Sequence, residues 1–427
     1  MRIPPRALNP PGVGSSTGPA ILAAALVLVA VGCHRQEHAT RVVLRTEPIG
    51  PGVFQRLVIE VRPRGADATC AACRRELSAE ELSVSGQVTF SVVSPDAPPV
   101  VRVTLSRGRG EGVRPSSSLE VIGTFDDPAA DEVVVTLPFR DTGAPRGTWA
   151  SPVALLEGHA LGEAPPRDAP CLGADDAAQV CVPGGLFWMG DPTLDLLGGV
   201  NREGTEERLI VLSPFWLDAR EVTVRDFRAA DLATFLVPVR RNKKEPSCTY
   251  TESEGDAEDL PVTCVTWERA DAYCQARGAR LPTEAELEHV QGARRSRRHV
   301  WGDAPVACSD AVVGDARCGR SAPSIAGSTS RDRLAIGDRT LVDLVGNVSE
   351  WTADRWNSTR ERCFAAAVLV DPRCDLDSEL EPGLRAVKGQ AFSFDLSYVG
   401  AAFRIGAHGD TDYGEALGFR CARGGPP

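Results

Sequence analysis

Thirteen cysteines are the residues of this sequence with the widest range of chemistry. A thiolate can bind a soft metal or attack a substrate, whereas an oxidised pair forms a structural disulfide. Ten of the cysteines fall into pairs close in sequence: Cys70/Cys73, Cys171/Cys181, Cys248/Cys264, Cys308/Cys318 and Cys363/Cys374. In an exported protein this spacing favours local disulfides, although the sequence alone leaves the connectivity open.

A polar cluster near the C-terminus is the second candidate for chemistry. Its members with side chains that could contact a ligand or a metal are Asp395, Arg404, His408 and Asp410. Glycines interrupt the cluster, and solvated turns have the same composition. Ligand contact and a solvated loop therefore both remain open.

Residues 1–33 are typical of a bacterial lipoprotein signal peptide. Arg2 and Arg6 precede an apolar run from residue 20 to residue 31, which is shorter than the ~20 residues of a membrane-spanning helix. The run ends at Gly32 and Cys33, a junction that resembles a lipobox. We expect cleavage to leave a lipidated Cys33 that anchors the protein to the cell envelope, in the outer membrane. The alternatives are an ordinary signal peptide or a short uncleaved anchor.

Composition limits the architecture and the partners. A chain of 427 residues is too long for one compact core and predicts at least two domains. The net charge of -11 argues against a nucleic-acid-binding protein, which needs a basic face.

Residues 34–160 have the pattern of a β-sandwich-like domain. Short β-branched runs are separated by Pro and Gly clusters, and they predict strands at 41–45, 57–61, 87–93, 100–105, 119–123 and 133–137. No catalytic constellation stands out there, which favours a spacer or binding module. Residues 161–177 are rich in Pro, Gly, Ala and Asp and read as a linker.

Three helices are predicted in residues 178–424. Thr223 and Thr266 are candidate N-caps, and Thr283 with Glu286 forms a capping box. Gly278 is placed to end the second helix. The stretch 295–340 has few strand signals, so we expect metal or disulfide links to hold it.

Seven motifs in residues 178–424 resemble, in order and spacing, those of the formylglycine-generating enzyme (sulfatase-modifying factor) family. The most diagnostic are Arg280-Leu-Pro-Thr-Glu-Ala-Glu-Leu287, Asp343-Leu-Val-Gly-Asn-Val-Ser-Glu-Trp351 and Leu417-Gly-Phe-Arg-Cys421. The resemblance implies an α+β fold of the C-type-lectin-like kind, with little regular secondary structure.

The same resemblance argues against the family's oxidase chemistry. Its enzymes oxidise a substrate cysteine to formylglycine with O₂ and a Cu(I) ion held by two cysteine thiolates. Here those two positions fall on Phe394 and Val399, and neither side chain can bind copper. A second branch of the family uses His-ligated iron to form sulfoxides. The six histidines of this chain lack the spacing of such a site.

The resemblance also implies two structural features, a calcium site and a disulfide, at the matching positions of this sequence. The resemblance implies a calcium site at Asp343, Gly346, Val348 and Glu350, with side-chain oxygens from Asp343 and Glu350 and carbonyl oxygens from the other two. It also implies a disulfide between Cys274 and Cys421, the two cysteines that the local pairs and Cys33 leave over.

These observations predict a pseudoenzyme. It would be a cell-envelope lipoprotein whose formylglycine-generating-enzyme-like domain has lost catalysis and acts as a binding or scaffold module. Its expected partners are an envelope protein or a glycan, and its membrane contact is the N-terminal lipid. The expected cofactor is structural calcium, without copper. The alternative is an oxidoreductase of the same family with a changed active site.

Overall fold

The structure is a computed structural model that describes nineteen stretches of the chain. They are residues 28–29, 39–45, 56–62, 74–78, 87–93, 100–106, 118–124, 132–136, 147–154, 171–173, 175–191, 206–230, 248–251, 253–314, 318–358, 361–365, 368–394, 399–409 and 416–424. Within these stretches the protein is mostly strand, with few helices. None of the helices there has both the length and the apolarity to cross a membrane.

Two sheets form the N-terminal half. The strands are β1 Leu28–Val29, β2 Ala39–Arg45, β3 Arg56–Arg62, β4 Arg74–Ser78, β5 Gln87–Val93, β6 Val100–Ser106, β7 Ser118–Thr124, β8 Glu132–Thr136 and β9 Val153–Ala154. One sheet has the order β1-β5-β2-β8 and the other β4-β3-β6-β7-β9. The chain crosses between these two sheets several times, and its sandwich-like packing stays a prediction. All six predicted strands are present, and β1 lies within the predicted signal peptide.

Alternation along the strands separates a buried face from a charged one. Val101 and Val103 on β6 are buried. Arg102, between them, points the other way and pairs with Glu60 on β3 and Glu120 on β7. Cross-strand pairs of opposite charge stabilise a sheet on its exposed side.

In its described residues, the C-terminal half contains several small sheets and three helices. The strands are β10 Gln179–Val182, β11 Gly185–Met189, β12 Arg208–Leu212, β13 Phe215–Asp218, β14 Arg333–Ile336, β15 Arg339–Val342, β16 Ser349–Arg355, β17 Val368–Val370, β18 Leu384–Lys388, β19 Arg404–His408, β20 Leu417–Gly418 and β21 Ala422–Gly424. The helices are α1 Val224–Ala229, α2 Trp267–Ala276 and α3 Glu284–Gln291, with a 3₁₀ turn at Arg362–Phe364. The largest of these sheets has the order β19-β18-β16-β20. This is the mixed α+β fold that the resemblance implied.

The predicted helix starts are largely confirmed. Thr223 accepts a hydrogen bond from Asp226 N–H at the start of α1, and Thr283 with Glu286 forms the expected capping box of α3. Thr266 precedes α2, but its side chain makes no capping hydrogen bond. Gly278 has φ 65°, the left-handed conformation that ends a helix.

The stretch 295–340 is held by a disulfide and by a hairpin. Cys308 is bonded to Cys318, as the local pairing predicted. The hairpin of β14 and β15 was not predicted, because its short strands lack a clear alternation of apolar and polar residues.

Part of the predicted linker packs on the C-terminal half. Leu172 O accepts a hydrogen bond from Trp216 Nε1 at 2.9 Å, and Asp176 O accepts one from Arg339 Nη1 at 2.7 Å. Residues from Cys171 onward therefore pack with the C-terminal half, which was predicted to begin at residue 178.

Candidate functional site

The two positions matched to the family's copper ligands are both apolar and packed. Val399 is 5% exposed and lies in a cluster with Ala311, Val313 and Val345. The ring of Phe394 meets that of Phe403 edge to face, with centroids 5.8 Å apart. Neither position presents an atom that could coordinate a metal.

All the cysteines of the C-terminal half form disulfides. All ten cysteines between residues 170 and 424 are bonded, in the pairs Cys171–Cys181, Cys248–Cys264, Cys274–Cys421, Cys308–Cys318 and Cys363–Cys374. The four local pairs and the long-range pair agree with the sequence-based pairing. Cys33, Cys70 and Cys73 lie outside the described residues. No free thiolate is thus available in residues 170–424 to hold Cu(I).

Of the polar cluster near the C-terminus, the structure describes Arg404 and His408. Arg404 is 1% exposed, and its guanidinium pairs with both oxygens of Glu284 and donates to Asn357 O at 2.8 Å. The guanidinium is therefore engaged in a structural ion pair and does not face a ligand. His408 is exposed at the end of β19. Asp395 and Asp410 lie outside the described residues.

The loop from Asp343 to Glu350 is buried against Arg420. Both carboxylate oxygens of Glu350 accept hydrogen bonds from this guanidinium at 2.8–3.0 Å. Arg420 Nη2 also donates to the backbone oxygen of Asp343 at 2.7 Å. Asp343 Oδ2 accepts from Gly327 N–H at 2.6 Å. Arg420, which belongs to the Leu417–Cys421 motif, is therefore part of this site. It was not predicted as a site residue from the sequence.

Carboxylates outnumber guanidinium groups around this loop. Burial raises the pKa of Glu221 well above its ordinary range, and the charges of Asp343 and Glu350 raise it further. Burial, with the charge of Asp343, also raises the pKa of Asp332 to about 7. A cation bound here would stabilise the charged form of these carboxylates and offset the repulsion between them.

The donor set fits calcium only in part. In the described stretches no three His, Cys, Asp or Glu side chains are placed to hold a metal among themselves. Glu350 is already shared with Arg420. A calcium ion here would rely on the Asp343 carboxylate and on backbone carbonyls, including those of Gly346 and Val348.

A small pocket that is open to solvent lies beside the segment that contains Val399. Its lining comes from β11 and its end, from α3, from the turn after α3 and from Ala401 and Ala402. Glu288 in the pocket accepts from Gly190 N–H at 2.6 Å and from the buried Lys388 Nζ at 2.7 Å. Neither Glu288 nor Lys388 was singled out from the sequence, because only the fold brings them together.

His299 lies between this pocket region and Val399, one of the two positions matched to the family's copper ligands. Its Nε2 lies 3.1 Å from Val399 O, and its ring stacks on Trp301 with centroids 4.9 Å apart. Burial lowers the pKa of His299, and the nearby charge of Arg298 lowers it further. A neutral, stacked imidazole that contacts a backbone oxygen has a packing role.

Comparisons with known proteins agree with the motifs. The chain is similar to a formylglycine-generating enzyme from Thermomonospora curvata, at 29% identity over 293 residues, which is 57% of this chain and 92% of that protein. It is also similar to a Mus musculus protein named inactive C-alpha-formylglycine-generating enzyme 2, at 28% identity over 255 residues, or 46% of this chain and 76% of that one. The solved structure of PvdO from Pseudomonas aeruginosa aligns with a TM-score of 0.45 and 22% identity, over 58% of this chain and 94% of that one.

A profile of the sulfatase-modifying factor enzyme 1-like domain matches residues 170–424. The match begins beside Cys171 and ends where β21 ends, at Gly424. It covers more than half of the chain. The protein belongs to the sulfatase-modifying factor (formylglycine-generating enzyme-like) family.

Proposed function

We propose that this protein is a cell-envelope lipoprotein whose family domain acts as a binding or scaffold module and does not generate formylglycine. The observation that carries the proposal is the state of the thiols. Every cysteine between residues 170 and 424 is in a disulfide, and apolar side chains stand at Phe394 and Val399. Cu(I) chemistry of the family's kind needs two free thiolates, which these residues do not supply.

Family membership by itself does not select a function. One similar protein is named as a formylglycine-generating enzyme and another as an inactive one. The chemistry of individual positions therefore decides, and here those positions favour the inactive branch.

Export and lipid anchoring at Cys33 are the second part of the proposal. Five disulfides in one domain are typical of proteins that fold in an oxidising compartment. The Gly32–Cys33 junction supplies the anchor. The net charge of -11 argues against nucleic acid, so the expected partner is an envelope protein or a glycan.

The copper test uses the purified full-length chain and a peptide containing Cys-x-Pro-x-Arg. We expect no copper-dependent loss of the peptide thiol and no aldehyde above a control without protein. The matched variant is Phe394→Cys with Val399→Cys, which restores the ligand types but not their supporting residues. We expect that variant to gain Cu(I) affinity with negligible turnover. Aldehyde formed by the unmodified protein overturns the proposal and favours an oxidoreductase.

We also propose a structural calcium ion at the loop from Asp343 to Glu350. The buried carboxylates of this loop favour it, and Asp343→Ala removes the side-chain oxygens that would ligate the ion. Chelation should lower the melting temperature of the wild type by several degrees and barely change that of Asp343→Ala. Equal responses of the two proteins count against the calcium site.

A further inference from the structure

The turn that follows α3 holds four arginines in five residues. The sequence there is Arg294-Arg295-Ser296-Arg297-Arg298, within a chain whose net charge is -11. We call these five residues the arginine turn. Such a concentration of one charge is costly unless something compensates it, so its partners need to be identified.

The backbone of the arginine turn is strained and firmly held. Ala293, Arg294 and Ser296 have φ of 56°, 59° and 53°, a region that residues other than glycine rarely occupy. Ser296 is buried, and its Oγ accepts a hydrogen bond from Trp188 N–H at 2.7 Å. Gly292 O accepts from two N–H groups of the turn. Strain that the surroundings maintain in this way is found disproportionately at ligand sites.

The arginine turn forms one wall of the pocket beside Ala401 and Ala402. Arg297 and Arg298 both line it. Arg298 Nε lies 3.5 Å from Asp191 Oδ2 on the opposite wall. Arg297, and the exposed Arg295 two residues before it, have no carboxylate partner in the described part of the chain. Of the pocket-lining arginines, Arg297 is therefore the one without such a partner among the described residues.

The carboxylates of the pocket do not cancel that charge. Asp191 faces Arg298, and Glu288 is neutralised by the buried Lys388 at 2.7 Å. Among the pocket-lining side chains and Lys388, this leaves the positive charge of Arg297.

We propose that the arginine turn and its pocket bind an oxyanion group of a ligand: a sulfate, a phosphate or a carboxylate. A guanidinium presents parallel N–H donors that match the oxygens of such groups. A rigid turn holds those donors in place before the ligand arrives, which lowers the entropic cost of binding. The inference rests on the proposed binding role and gives it a ligand class.

The test is calorimetric titration of the full-length chain with inorganic sulfate, inorganic phosphate and acetate at constant ionic strength. The three arms identify which oxyanion the site prefers. We expect saturable binding of at least one anion and about tenfold weaker binding by Arg297→Gln. Arg225→Gln changes the net charge equally at an exposed arginine on α1 and should leave the affinity within about twofold. Equal affinity of the wild type and Arg297→Gln overturns the inference.

A second variant changes affinity in the opposite direction. Asp191→Asn removes the carboxylate that competes for Arg298, so anion binding should tighten severalfold, which damage to the fold would not produce. Unchanged or weaker binding by this variant counts against the site. If no anion binds saturably, this inference fails while the binding role stands with another ligand. Aldehyde formation in the copper test overturns the binding role and leaves anion binding untouched.

Discussion

At the scale of single residues, three buried ion pairs are a main polar feature of the described part of the family domain. Arg404 with Glu284, Arg420 with Glu350 and Lys388 with Glu288 are each almost completely buried. A buried charge is stable only while its partner is present. These side chains therefore specify the packing of the domain more than they offer chemistry to a ligand.

Arg404→Met should destabilise the fold by about 3–5 kcal/mol, because it leaves the Glu284 carboxylate buried without a partner. Adding Glu284→Gln removes that charge and should recover part of the loss. Arg225→Met breaks an ion pair whose side chains are 57% and 71% exposed, and should cost less than about 1 kcal/mol. Urea unfolding of the four proteins measures these differences. Similar costs for Arg404→Met and Arg225→Met would contradict the structural role of Arg404.

At the scale of elements, α3 is the centre of the domain. All eight of its residues are buried, although the helix carries three glutamates. Glu284, Glu286 and Glu288 each pair with a cation from a different segment: Arg404, Arg280 and Lys388. The arginine turn follows directly at the C-terminal end of α3. The helix therefore positions the pocket and the arginine turn together.

The N-terminus of α3 should make stability depend on pH. Asp354 accepts hydrogen bonds from Glu284 N–H and Cys374 N–H, yet burial, with the charge of Glu284, raises its pKa from 3.8 to about 7. The folded state binds this proton more tightly than the unfolded state does. The stabilisation is therefore complete below about pH 4 and is lost as pH rises through about 7. One pKa unit corresponds to about 1.4 kcal/mol, so the free energy of unfolding should fall by ~4 kcal/mol over this pH range.

Asp354→Asn carries no titratable group, so its unfolding free energy should lack this decline between pH 4 and pH 8. Asp226→Asn is the contrasting variant. Burial alone would raise the pKa of Asp226, but hydrogen bonds from Arg220 and Thr223 outweigh it and lower the pKa. The wild type should accordingly lose stability relative to Asp226→Asn as pH falls. Parallel pH curves for the wild type and Asp354→Asn would rule out the raised pKa.

At the scale of the whole molecule, a strand-rich N-terminal half precedes a disulfide-linked family domain. The Cys274–Cys421 disulfide joins α2 to the segment before β21, across a sequence separation of 147 residues. The disulfide therefore connects the second helix of the domain to the residue directly before its last strand.

Cys33→Ala should release the protein from the membrane fraction or block its processing, because it removes the site of lipid attachment. Fractionation of cells and mass spectrometry of the N-terminus measure both outcomes. Cys70→Ala is the matched control and should leave the protein in the membrane fraction. Unchanged membrane association and mass in Cys33→Ala would argue against lipidation.

Local properties of the chain were predictable from the sequence, and long-range pairings were not. Capping boxes, β-branched strands and close cysteine pairs depend on neighbours within a few residues, and the apolar types at Phe394 and Val399 needed only the family motifs. The sequence left Arg404 open between a ligand contact and a solvated loop, and the fold places it in neither role, against Glu284, 120 residues earlier in the chain. The four arginines of the arginine turn can be read from the sequence. Only tertiary packing decides which of them meet a carboxylate of the described residues, because ion pairing depends on which segments the fold brings within about 4 Å.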